Sequence, residues 1–143
     1  MYSNILIPTD GSELSARAIA DGVALAAAIG ARVTAWCGAE VYSMSYVEGV
    51  FVDLEQFRSR ALGHARKHVD AVAAAATAVG VACETHTEEC ETVWGGILKA
   101  ARDHACDLIV MASHGRRGLS AVLLGSETQK VLTHGTLPVL VCR

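Results

Sequence analysis

The sequence predicts a doubly wound α/β domain: a five-stranded parallel sheet with helices on both faces. Three observations predict it. Short apolar runs alternate with segments of helical period in the order β-α-β-α-β-α-β-α-β, and helix-length connections between short strands imply right-handed crossovers and parallel pairing. The run Leu108-Ile109-Val110-Met111 is apolar throughout, as befits a strand covered on both faces. Hydrophobic residues make up 52% of the 143 residues and aromatics only 5%, so the core must be Ala, Val, Leu and Ile, which suits close helix-on-sheet packing.

The elements follow in chain order. Ile5-Leu6-Ile7 reads as a buried strand closed by the turn Pro8-Thr9-Asp10-Gly11. Ser12 is placed to cap a helix in which Leu14, Ala18, Leu25 and Ile29 keep helical spacing until Gly30 stops it. Arg32–Cys37 is a second strand, and Gly38 to Val52 has no clean period and reads as a long loop containing Tyr42, Met44, Tyr46 and Phe51. Asp53 opens a long Ala-rich helix whose inward stripe is read as Leu54, Phe57, Ala61, Ala65, His68, Val72 and Val79, with Gly80 as its stop. Val81–Thr87 alternates weakly, as an edge strand would. Thr92 starts a third helix through Ala105, Ser126–His134 is a short fourth one, and Pro138–Cys142 is the terminal strand, with proline tolerated at its first position.

Composition excludes several classes. The length fits a single domain over residues 1–143. Twelve Lys+Arg against fifteen Asp+Glu give a net charge of −3, without the basic excess of a nucleic-acid binder. The scarcity of aromatics also argues against stacking platforms for single strands. Cysteines stand at 37, 83, 90, 106 and 142, an odd number with no CxxC, so reduced thiols in a cytoplasmic setting are expected. The segment MYSNILIPTDGSE lacks a basic n-region, and no uncharged apolar stretch approaches the ~20 residues of a membrane span.

In open parallel sheets, ligands bind beyond the carboxyl ends of the strands, where strand order reverses. The loop Ser113–Ser126 is the informative one. Gly115 and Gly125 allow close approach of the main chain, and the helix beginning at Ser126-Glu127-Thr128 offers free N–H groups and a positive dipole end. Ser113, Ser126 and Thr128 add hydroxyls, and Arg116 and Arg117 add charged donors. From Ser113 to Arg143, the cations Arg116, Arg117, Lys130 and Arg143 face a single acid, Glu127. A local positive field in an acidic chain suits a small anion.

At these residues the chain resembles the universal stress proteins, over essentially its whole length. Gly115, nine residues, then Gly125-Ser126 matches the glycine pattern of the family's nucleotide-binding members; Pro8-Thr9-Asp10 matches its opening motif and Leu137-Pro138-Val139-Leu140-Val141 its closing strand. The pattern's first glycine falls at Ala112, a departure that adds a Cβ there. The resemblance implies a Rossmann-like, adenine nucleotide alpha hydrolase-like fold and a stress-response module that binds ATP or a related adenine nucleotide. It implies Pro8, Thr9 and Asp10 on the adenine and ribose side, the main chain near Cys37-Gly38 at the base, and Ala112 under the ribose and phosphates. Gly115, Gly125, Ser126, Glu127 and Thr128 would cradle the phosphates, with Ser113 and His114 counted among the candidate nucleotide contacts, and magnesium would accompany ATP, held mainly by phosphates and water. It further implies a homodimer through Pro138–Cys142, which would cover an apolar edge strand.

Plainer accounts stand beside these. Asp10-Gly11-Ser12 also fits a turn plus cap, Ser126-Glu127-Thr128-Gln129 a capping box, and Arg116-Arg117 a solvated loop tip. His64 and His68, four apart, could face one metal, but no third ligand is placed. Met44, Tyr46 and Phe51 fit a lid over a base or packing beneath the loop. Neither a P-loop, a G-x-S-x-G elbow nor an H-E-x-x-H occurs, and no positioned base is found, so binding is expected rather than turnover. The alternatives are an interaction dimer without nucleotide and a slow ATPase or phosphotransferase.

Overall fold

In the computed structural model, residues 1–40, 53–115 and 123–143 are described. Nine elements run along the chain: β1 (Asn4–Pro8), α1 (Glu13–Ile29), β2 (Arg32–Glu40), α2 (Leu54–Ala78), β3 (Cys83–Cys90), α3 (Val93–Asp103), β4 (Leu108–Ala112), α4 (Ser126–His134) and β5 (Val139–Cys142). The strands form one parallel sheet in the order β3-β2-β1-β4-β5. The chain builds outward from β1 to β3, then crosses back to β4, so the order reverses between β1 and β4. This is the doubly wound sheet predicted, with the weak third strand at an edge.

Alternation along the strands divides the core into two layers. Ile5, Ile7, Val33, Ala35, Leu108 and Val110 pack with α1 and α2 on one face, while Leu6, Trp36, Ile109 and Met111 pack with α3 and α4 on the other. Local signals fix the helix ends. Ser12 caps α1 by accepting from Ser15 N, and Gly30 ends it at φ 71°, in the left-handed region. Asp53 caps α2 through the amides of Glu55 and Gln56.

The inward faces differ in part from the periodic reading. In α1 the buried line is Ser15, Ala18, Ile19, Gly22, Val23 and Ala26, flanked by Leu14, Leu25 and Ile29. Gly22 lies at its centre because a Cβ there would stand 2.7 Å from Ile7 Cδ1. In α2 the buried residues are Ala65, Val69, Val72 and Ala76, whereas Leu54 and Val79 are 59% and 54% exposed. The residues read as periodic in α1 do pack on the core, and Ala65 and Val72 of the expected α2 stripe are buried; Leu54 and Val79, at the ends of that stripe, are not, and the closest helix–sheet contact is made by small residues.

Two further corrections concern element ends. β2 continues three residues beyond Cys37, through Gly38 to Glu40, because β3 pairs with it to the end, Glu40 opposite Cys90. The remainder of the expected loop, residues 41–52 with Met44, Tyr46 and Phe51, lies outside the described residues. The capping box at Ser126 does not form: Gly125 is the N-cap, without a side-chain cap bond, and Gln129 Nε2 donates to Leu124 O at 2.6 Å.

Candidate functional site

The carboxyl ends of β1, β2 and β4 open into a cavity of about 520 Å³. It lies at the switch in strand order, where α1 and α4 leave toward opposite faces and cannot fill the gap. Among the sequence-predicted residues, Pro8, Thr9, Asp10, Cys37, Gly38, Ala112, His114, Gly115, Gly125, Ser126, Glu127 and Thr128 all line it. Ser113 does not; it is buried beneath, with its hydroxyl 3.1 Å from His114 Nδ1. Arg116 and Arg117 lie outside the described residues.

The β1 wall is a rigid turn. Thr9 is buried, its N–H donates to Trp36 O, and its hydroxyl lies 2.6 Å from that of Ser15. Asp10 Oδ1 accepts from Ser12 N at 2.9 Å, and Gly11 takes φ 75°, a conformation that favours glycine. The turn-plus-cap account of Asp10-Gly11-Ser12 is therefore what the chain does locally, and the same turn still presents Asp10 to the cavity. Asp10 Oδ2 would stand 2.5 Å from a Cβ added at Gly115, so the β1 and β4 loops meet closely there.

The β2 wall follows from its extra length. β1 stops at Pro8, opposite Trp36. Amide and carbonyl directions alternate along a strand, so Gly38 turns its N–H and C=O to the side that Trp36 turns toward β1, now past the end of β1. That backbone edge faces the cavity. A Cβ at Gly38 would come within 2.6 Å of the Trp36 ring and 2.7 Å of Cys90 Sγ. The Trp36 indole is almost wholly buried, and its Nε1 has no hydrogen-bond partner among the described residues.

The β4 wall is stapled to α4. Thr128 Oγ1 donates to Ala112 O at 3.0 Å and Ser113 O at 3.2 Å, and Gly125 N donates to Ser113 O at 2.8 Å. A Cβ at Gly125 would stand 3.1 Å from Ser113 O, so glycine allows the two strands of the loop to touch. Ala112 ends β4 in extended backbone, where its Cβ carries no conformational penalty. The first intrahelical bond in α4 runs from Gln129 N to Gly125 O. The amides of Ser126, Glu127 and Thr128 precede it and have no intrahelical partner.

Several lining residues were not singled out by sequence. Trp36, Val93, Ile97 and Met111 make an apolar side, and Glu40 adds a carboxylate from the end of β2. His64 and His68 line the cavity from α2, so their i, i+4 spacing does place them on one side. No group of three His, Cys, Asp or Glu residues converges to hold a metal among the described residues. Burial, together with Glu40, Glu127 and Glu88, pushes the nearby Cys90 thiol up to about 11.

The geometry defines an α/β domain with a polar-and-apolar pocket at its topological switch. The universal stress protein family model matches residues 1–143, and the chain belongs to that family. It is 35% identical, over the full length of both chains, to the universal stress protein encoded in the QAH/OAS sulfhydrylase 3′ region of Thermus aquaticus. Its fold is similar to that of protein MJ0577 of Methanocaldococcus jannaschii, with a TM-score of 0.84, 26% identity and coverage of 99% of this chain and 96% of that one. More distant neighbours share the fold: a universal stress protein solved in complex with cAMP (TM-score 0.70, 20% identity, covering 99% of this chain and 97% of that one), and one from Archaeoglobus fulgidus solved with dAMP (0.61, 17%, 99% and 98%).

Proposed function

We propose that this chain is a cytoplasmic stress-response module that binds ATP or a related adenine nucleotide as a regulatory ligand. The observation that carries the reading is the cavity itself. Twelve residues from four segments of the chain, chosen from sequence as nucleotide contacts, meet around one space whose volume suits a small ligand. The edge of Gly38 offers a donor and an acceptor to a base, as a Watson–Crick edge requires. Asp10 would accept from ribose hydroxyls. The amides at the start of α4 would take a phosphate. Two fold neighbours solved with adenine nucleotides support the same reading. With no carboxylate cage among the described residues, magnesium would rest on the phosphates and water.

The test is ligand-induced stabilisation. At a hundred times the Kd, ATP with magnesium should add about 2.7 kcal/mol, several degrees in Tm. No shift at millimolar ATP, AMP or cAMP would defeat nucleotide binding.

A second element of the reading is a homodimer through β5. This strand is at the sheet edge, and Leu140 is 43% exposed on it. Pairing of two β5 strands would cover the open backbone edge and the leucine together. Sedimentation of the wild type and of Leu140→Lys tests this: the expected result is a dimer that the lysine dissociates.

A further inference from the structure

We propose that Glu127 sets how many phosphates the cavity accepts, by holding a fixed negative charge between the first turns of α3 and α4. The inference rests on the nucleotide reading above and deepens it.

Glu127 is the second residue of α4, yet its carboxylate serves another helix. Its Oε2 accepts from Trp94 N at 2.8 Å. Trp94 is in the first turn of α3, whose own N-cap, Thr92, makes no side-chain cap bond. The positive end of α3 is therefore already met by an internal anion. Glu127 also lines the cavity, as do Ser126 and Val93. Its field reaches Cys90, where it acts with Glu40 to hold the thiol protonated.

The consequence for a ligand follows from charge. One phosphate seated on the α4 amides gains their donors and the helix dipole. Each further phosphate must extend from there in the presence of the Glu127 carboxylate. Toward α3 it also meets Glu40 and the apolar surface of Trp36, Val93 and Ile97. Glu127 thus favours a nucleoside monophosphate or cyclic monophosphate over a triphosphate. A purely structural role, joining α3 to α4, would leave that preference untouched.

Glu127→Gln separates the two roles, because an amide oxygen still accepts from Trp94 N while the charge is gone. The Kd of AMP, of ATP in EDTA and of ATP with magnesium should be measured for wild type, Glu127→Gln and Glu127→Ala. The expected result for Glu127→Gln is an ATP-to-AMP affinity ratio, without metal, raised about tenfold, the scale of one unit charge a few ångströms away in a partly wet site. Glu127→Ala should shift the ATP-to-AMP ratio in the same direction, with a lower Tm because Trp94 N loses its acceptor. An unchanged ratio in both variants overturns the proposal while leaving nucleotide binding intact. Weaker ATP binding with magnesium in Glu127→Gln overturns it as well, since the carboxylate would then serve the metal. If wild type and both variants bind none of these nucleotides, the nucleotide reading falls and takes this inference with it.

Discussion

The two ends of the sheet are built from the same strands and treat polar groups in opposite ways. At the amino ends, Asn4 is buried and fully engaged. Its Nδ2 donates to His104 O at 2.9 Å, its Oδ1 accepts from Thr34 Oγ1 at 3.0 Å, and its backbone exchanges bonds with Asp107. Asp107 also accepts from Ser3 N and Ser3 Oγ. At the carboxyl ends, by contrast, Gly38 turns its backbone past the end of β1, Trp36 Nε1 has no hydrogen-bond partner among the described residues, and Ser126, Glu127 and Thr128 of the first turn of α4 line the cavity. The Asn4–Asp107 network spends its polar groups on the fold, whereas the carboxyl ends of the strands present theirs to a cavity.

The contrast predicts a hierarchy of effects. Asn4→Ala should be the most damaging, at about 2–4 kcal/mol by urea denaturation, because it removes the acceptor of the buried Thr34 hydroxyl and the amide donor to the His104 carbonyl. Gly96→Ala probes the packing between the two ends. Its Cβ would lie 2.6 Å from the Trp36 ring, and overpacking of that kind costs about 1–3 kcal/mol, read in the same way. Gly115→Val should spare stability, since Gly115 is exposed, yet weaken nucleotide binding about tenfold or more (about 1.4 kcal/mol) by displacing Asp10. A valine variant that loses several kcal/mol of stability would show that the carboxyl ends also carry the fold.

The smallest effect is a pH dependence confined to the amino ends. Burial raises the Asp107 carboxyl, but hydrogen bonds from Ser3 and Asn4 outweigh it and hold the group below its ordinary value. A lowered folded-state value means the contribution is complete above the unfolded-state value of about 3.9 and disappears as the pH falls through the lower, folded-state one. Wild type should therefore lose stability in that acid window more steeply than Asp107→Asn, by thermal melting at stepped pH. Parallel curves would mean that the Asp107 bonds contribute little.

Much of the candidate site was legible because its residues announce themselves locally. Asp10-Gly11-Ser12 is a turn wherever it occurs, and Gly115 with Gly125-Ser126 brackets a loop before a helix. Trp36 was read only as a strand residue, since nothing in Thr34-Ala35-Trp36-Cys37 tells which layer the indole enters. Glu40 was read as loop because β2 outlives its own apolar pattern, sustained by pairing with β3. Asn4 was passed over because a polar residue before an apolar run looks like its boundary, and its partners lie a hundred or more residues away or on the next strand.

What the sequence determined alone was the order of elements, most of their ends and which segments border the cavity. Each depends on periodicity, glycine stops and caps, which act between near neighbours. Tertiary structure alone decided which small residues of α1 and α2 face the sheet, how far β2 runs, that Asn4 locks the amino ends, and that Glu127 of α4 caps α3. Those are contacts between distant segments. Their geometry exists only once the strands are side by side, because a hydrogen bond needs its partners within about 3 Å and in line.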